Sequence, residues 1–409
     1  MKVLALKFTG TARAPILVAS FVLLLMAADL HAAAPVVSNI RASQRPGTKL
    51  VDIYYDLTAV SASVSITATV SADGGLTYGV PAATFTGHYG AGVASGANRS
   101  IVWNAGADWP SQFSSQCRVR VIADDAVPNN MALVPAGSFL MGDPYVQGGS
   151  DERPLHNVTV SSFYMDRFEV TWAFWQQVRD WAAVQGYSFV NPGSGRGSTH
   201  PVHSVNWFDT VKWCNARSQM DGLAPVYYAD AAFTTLYKSG EGIPYAKWSA
   251  NGYRLPTEAE WEKAARGGLA GTHFPWPGAG GSYSTYINGS KANYYQSGDP
   301  FEGGNPATTP VGYYNGAQTP AGVDMANGYG LYDMAGNIWE WCWDWYDGAW
   351  YSNPGATQGD TRGPVSGTSR GMRGGVWVIS ANYLRCAQRY SNSPTDANFY
   401  FGFRCVRGL

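Results

Sequence analysis

The segment DDAVPNN at residues 124–130 divides the chain into two parts that no single architecture accommodates. It is polar, contains a proline and interrupts the apolar patterns on both sides, as a domain boundary does. Of the 16 tryptophans, 14 lie C-terminal to it. The N-terminal part alternates instead. In ASVSITATV, Ala62, Val64, Ile66, Ala68 and Val70 share one face, with serine and threonine on the other. That period of two is a strand buried on one side. KLVDIYYDL before it, and SIVWNAG and CRVRVIADD after it, read as further strands, and ADGG at 72–75 marks a turn.

The expected architecture is therefore a small all-β sandwich of immunoglobulin or fibronectin type III style over residues 35–124, a linker over 125–130 and a second domain over 131–409. No cluster of acids, bases or nucleophiles marks the sandwich, which reads as a spacer or adhesion module. Residues 1–34 read as a signal peptide. Lys2, Lys7 and Arg13 precede the apolar run Ala14–Ala28, and the small residues Ala32–Ala34 offer a cleavage site. The run is shorter than the ~20 residues of a spanning helix, so no membrane span is expected after cleavage. An exported protein follows, whether periplasmic, extracellular or on the cell surface. Export permits disulfides, and five cysteines leave at least one without an intramolecular partner. A net charge of −1 with no basic run excludes nucleic acid as the expected partner.

The second domain is rich in glycine and large aromatics, which suits long loops pinned by buried rings. Three helices are readable. Thr171 caps one through WAFWQQVRDWAAVQ, Asn206 opens another, and Thr257 with Glu260 forms a capping box before EWEKAAR, stopped by Gly267. His200 and His203 are too close, with too few partners, for a metal site. No P-loop lysine accompanies the glycine-rich GGLAGTHFPW. The aromatic run WEWCWDWYDGAW reads as core beneath loops rather than as a sugar platform. Two loops gather oxygen donors, Asn293 with Asp299 and Asp333 with Glu340, in the hard chemistry that calcium selects.

Seven segments then occur in order: LVPAGSFLMG, ERPLHNVTVSSFYMDRFEVT, HPVHSVNWFD, YRLPTEAEWEKAARGG, NGYGLYDMAGNIWEW, RGGVW and FGFRC. Together they resemble the formylglycine-generating enzyme family, the sulfatase-modifying factor domains, from about Met131 to Leu409. The resemblance implies an α+β, C-type-lectin-like, loop-rich fold with structural calcium. It implies one calcium set of Asn293, the Tyr294 carbonyl, Asp299 and the Phe301 carbonyl. A second set would be Asp333, the Gly336 and Ile338 carbonyls, and Glu340. It also implies a disulfide between Cys214 and Cys405. The family's enzymes oxidise a cysteine of a sulfatase peptide with copper and oxygen.

The copper positions depart from the pattern. The two thiolates are replaced by Ile379 and Leu384, the serine after Gly-Gly by Val376, and the histidine by Ser380. Apolar side chains cannot replace soft thiolate ligands, so copper is not expected and no catalytic residue is assigned. Cys386 matches a disulfide position whose partner is Ala265 here, which leaves Cys342 as an alternative partner and Cys117 as the odd cysteine. The stretch ISANYLRCAQRYSNSPTDANFY has the composition of an adaptable binding surface. It is similar to the variable region of retroelement-diversified proteins of this fold. The expected surface comprises Trp377, Ser380, Asn382, Tyr383, Arg385, Arg389, Tyr390, Asn392, Asn398 and Tyr400, presented to a protein, peptide or glycan ligand. The alternative is a metal-dependent oxidoreductase, of formylglycine-generating or related type, acting on a protein or thiol substrate.

Overall fold

A computed structural model describes residues 4–6, 35–59, 64–124, 130–277 and 287–409. Nearly all of the expected signal peptide, Ala62, and linker residues 125–129 lie outside the described residues. The chain forms two compact units, Met1–Asn129 and Asn130–Leu409.

The first unit holds two four-stranded antiparallel sheets. One orders Leu4–Leu6, Cys117–Asp124, Val64–Ser71 and Gly90–Val93, and the other Val36–Gln44, Leu50–Thr58, Gly96–Asn104 and Phe85–Gly87. The alternating strand pairs Ser65–Ser71 with Arg118–Asp124. Its Val64, Ile66, Ala68 and Val70 are buried in one apolar cluster with Val51, Ile53 and Tyr55 of the other sheet. The period of two thus puts its apolar face on the core, as read.

The second unit is α+β. Met131–Val134, Phe163–Asp166 and Val406–Gly408 make one sheet, and Gly137–Met141 pairs with His156–Val160. A second sheet orders Tyr390–Asn392, Arg370–Arg373, Trp339–Trp345 and Phe401–Gly402, the last pair parallel. All three read helices form. Thr171 caps Trp172–Val184, Asn206 caps Trp207–Met220, and Thr257 caps Glu258–Arg266, whose capping box is complete and whose chain leaves through left-handed Gly267.

Glu258–Arg266 carries five charged residues, yet all nine of its residues are buried. Burying charge is costly unless each group is paired. Here Glu258 binds Arg373 and Arg389, Glu262 binds Arg266 and Arg373, and Glu260 binds Arg254. The helix is thereby a polar pillar that fixes arginines distant in sequence, and one of those is Arg373 of the RGGVW segment, at the end of the strand Arg370–Arg373.

Candidate functional site

Arg373 uses every guanidinium nitrogen. Nε donates to Glu258 at 3.0 Å, Nη2 to Glu262 at 3.1 Å and to the Tyr351 hydroxyl at 2.8 Å, and Nη1 to the carbonyls of Cys386 and Gln388. Gly374 and Gly375 follow with φ of 95° and 87°, which favours glycine. A Cβ on Gly375 would meet the Leu384 side chain at 2.9 Å. The RGG frame is thus accounted for by packing, without reference to any reaction.

The chain then makes tight turns. Ile379 N donates to the Val376 carbonyl, Tyr383 N to Ser380 and Leu384 N to Ala381. Leu384 is fully buried in an apolar cluster with Phe274, Trp276, Ile287, Ala292, Tyr314, Met325 and Ala335, and Ile379 packs against it. Val376 is buried and Ser380 exposed. Cys386 belongs to a different cluster, with Ala265 and Cys342, and burial pushes its thiol up to about 12. This donor set does not fit copper: Ile379 and Leu384 offer no lone pair, and the Cys386 thiol is protonated at neutral pH.

The expected binding surface is brought together in part. Ser380 and Asn382 are exposed, as are Tyr383 at 48% and Tyr390 at 42%. Tyr390 stacks on Trp339 with centroids 4.9 Å apart. Trp377, Asn392, Asn398 and Tyr400 are half-buried, and the Trp377 ring lies 5.7 Å from Tyr400 and 6.2 Å from Phe399. Trp377 Nε1 and Asn398 Oδ1 are shielded from water and have no hydrogen-bond partner. Arg385 and Arg389 must be removed from this surface. Both are 3% exposed, Arg385 paired with Glu152 and Arg389 with Glu258, because acids distant in sequence neutralise them inside the protein. Phe399 lies in the stretch read as a surface though not among the residues named for it, and Tyr295 escaped the sequence reading. Phe399 contacts Tyr400 at 4.1 Å, and exposed Tyr295 donates its N–H to the Ile379 carbonyl. For Tyr295, no local pattern in the sequence signals that proximity.

The two oxygen sets differ. In the first, Asn293 and Asp299 are buried. Asn293 Nδ2 donates to the Ala307 carbonyl at 2.8 Å. Asp299 accepts from Phe301 N at 2.8 Å and Ser297 Oγ at 2.6 Å, and the Tyr294 carbonyl from Ser297 N. The Phe301 carbonyl receives Arg196 Nη1 at 2.7 Å. Asn293, Tyr294 and Asp299 are oxygen donors suited to a hard cation, while the guanidinium competes at the fourth position. In the second set Asp333 is half-buried at φ 56°, and Gly336 accepts from Ile338 N. Glu340 does not fit: its two oxygens lie 2.7 Å from Arg404 Nε and Nη2, and Trp261 Nε1 adds a third bond at 2.8 Å. Among the described residues no three His, Cys, Asp or Glu side chains form a metal-holding group.

His200 and His203 are buried, bonded through Nδ1 to Thr308 Oγ1 and Ser204 Oγ respectively. Burial drives both down to about 4, helped at His200 by Arg196. Both are neutral in the folded protein, whereas the unfolded chain binds protons below about 6.5. Stability is therefore full above that pH and is lost as pH falls toward 4. The loss is up to about 3 kcal/mol for each fully shielded ring, less where solvent reaches it. Urea unfolding between pH 7.5 and 5 should show this slope, and His200→Gln with His203→Gln should flatten it. An unchanged slope in the double variant would contradict the assignment.

Cys214 and Cys405 are buried thiols with sulfurs 3.5 Å apart. The other cysteines, Cys117, Cys342 and Cys386, are also buried thiols.

The sulfatase-modifying factor enzyme 1-like domain matches residues 119–409. The chain is similar to the formylglycine-generating enzyme of Thermomonospora curvata, 31% identical over 332 residues, covering 68% of this chain and 94% of the relative. The Mus musculus formylglycine-generating enzyme is 33% identical over 68% of this chain and 74% of its own length. Among solved structures, Treponema denticola variable protein 1 superposes with a TM-score of 0.51 at 28% identity, over 68% of this chain and 95% of its own. With the motifs in order and the family domain covering the whole second unit, the chain belongs to the sulfatase-modifying factor enzyme 1-like family.

Proposed function

We propose that this protein is an exported, ligand-binding member of its family without copper oxidase activity, and that its ligand docks on the face built by Trp377, Ser380, Asn382, Tyr383, Tyr390, Asn392, Asn398 and Tyr400. The observation that carries the reading is the set of exposed polar and aromatic side chains, Ser380, Asn382, Tyr383 and Tyr390, gathered beside the half-buried rings of Trp377 and Tyr400. Its exposed tyrosines and small amides supply rigid contact area and adaptable hydrogen bonds. The likeness to a protein titled as variable supports this use of the fold. A protein, peptide or glycan has the mixed apolar and polar surface such a face accepts.

The first unit, with two sheets around one core, serves in this reading as an immunoglobulin- or fibronectin-like spacer. Calcium at Asn293, Tyr294 and Asp299 holds the loop next to the face, since Tyr295 reaches Ile379 directly. Oxidation on export would join Cys214 to Cys405 after their sulfurs close to about 2 Å.

The test is a screen of the labelled protein on peptide and glycan arrays, followed by Trp377→Phe and Tyr383→Ala. Tyr383→Ala removes an exposed ring and Trp377→Phe shrinks the half-buried one, and each should weaken binding roughly tenfold, as loss of an aromatic anchor does. Both variants should melt where the wild type does. Binding unaffected by either, or the absence of any bound ligand, would contradict the reading.

A further inference from the structure

Of the five charged residues on Glu258–Arg266, Lys263 alone has no ion-pair partner among the described residues. It is 5% exposed. Its Nζ donates to two neutral acceptors, the carbonyls of Gly137 at 2.7 Å and Val160 at 3.4 Å. Asp360 acts on it electrostatically but makes no ion pair with it, and both Asp360 oxygens are engaged by Ser161. Lysine is rarely buried without a counter-charge, because an ammonium stripped of water is costly. Burial accordingly lowers the proton affinity of Lys263.

The same lysine lines a cavity of about 210 Å³ that is partly open to solvent. Pro135, Phe139, Leu140 and Leu269 make its walls apolar, and none of its lining residues is acidic. The other cation there, Arg266, is already committed to Glu262 and to the carbonyls of Gly142 and Thr272. One positive charge therefore remains to be balanced. Tyr329 also lines the cavity, and burial raises its phenol, so the hydroxyl stays protonated at neutral pH and is able to donate. A cavity of about 150 Å³ holds one benzene ring, whereas pockets for drug-sized and cofactor ligands start at about 300 Å³. The space at Lys263 falls between the two.

We infer that this cavity binds a small organic monoanion, a carboxylate on an apolar body of about one ring, with the carboxylate on Lys263 and the body against Phe139, Leu140 and Leu269. A monoanion balances the single charge left over, and a dianion such as phosphate would bring an unbalanced charge against apolar walls. A charge-assisted hydrogen bond fixes the carboxylate end, and burial of the ring supplies the rest. The cavity shares no residue with the proposed docking face, so the inference stands apart from that reading.

Calorimetric titration of the full chain with benzoate, benzamide and inorganic phosphate tests it. Benzoate should bind. Benzamide, which has the ring without the charge, and phosphate, which has charge without the ring, should each bind roughly tenfold or more weakly. Lys263→Met should weaken benzoate by roughly tenfold or more, the value of a hydrogen bond to a charged group. That variant also loses the bonds to Gly137 and Val160, so a second one is needed in case it does not fold. Ala136 is exposed and lines the cavity, and Ala136→Trp should block the space while leaving the ammonium and its two carbonyls in place. It should melt with the wild type and lose benzoate binding. A wild type that does not bind benzoate would overturn the inference and leave Lys263 as a tie between the helix and two strands. Benzamide or phosphate bound as tightly as benzoate, or benzoate bound unchanged by folded Ala136→Trp, would overturn it as well.

Discussion

Glu340→Ala is expected to remove about 3–5 kcal/mol of stability, the cost of stranding a buried charge. Glu340 and Arg404 are both fully buried, bound to each other through two contacts of 2.7 Å. Without the carboxylate, Arg404 keeps its carbonyl bonds but loses the only side chain that neutralises it among the described hydrogen bonds. Trp261 Nε1 loses its acceptor as well. Against a total margin of about 5–15 kcal/mol, this is a large fraction. The loss should be the same in calcium and in chelator, because Glu340 serves Arg404 and not a metal. Urea unfolding of the variant measures it. A loss below about 1 kcal/mol, the range of exposed ion pairs, would contradict the account of this pair.

The second large effect concerns copper. Ile379→Cys with Leu384→Cys should raise Cu(I) affinity by orders of magnitude over a wild type that shows none, because two soft thiolates would share one site. Leu384 is buried in a closed cluster, so shortening it also costs about 2–5 kcal/mol by opening a cavity. The double variant must therefore be checked for folding before titration with a chromogenic Cu(I) competitor. Turnover need not follow, since Val376 and Ser380 also change the surroundings of the metal. Wild-type protein that competes for Cu(I) as well as the folded double variant would contradict the assignment of Ile379 and Leu384 to packing.

Local chemistry was legible in the sequence. Thr171, Asn206 and Thr257 cap helices where their side chains can satisfy the first N–H groups, and that depends on neighbours three residues away. The alternating strand was legible for the same reason. The polar interior was not. Arg385 and Arg389 sit in a stretch that reads as surface, and their partners Glu152 and Glu258 are more than a hundred residues distant. Glu340 looked like a metal ligand because a carboxylate in a loop and a carboxylate on a guanidinium have the same sequence. The copper positions were legible by contrast, because the absence of a thiol is a property of the residue itself.

The most direct test is what happens to a sulfatase-type CTPSR peptide incubated in air with this protein and Cu(I). Conversion of its cysteine to formylglycine exchanges sulfur for oxygen with loss of two hydrogens, a mass decrease of about 18 Da. Mass spectrometry reads it, with a formylglycine-generating enzyme such as that of Thermomonospora curvata as the positive control. The predicted result is an unchanged peptide from this protein beside a converted one from the control. A peptide lighter by about 18 Da from this protein would show oxidase chemistry without the two thiolates and contradict the reading of Ile379 and Leu384.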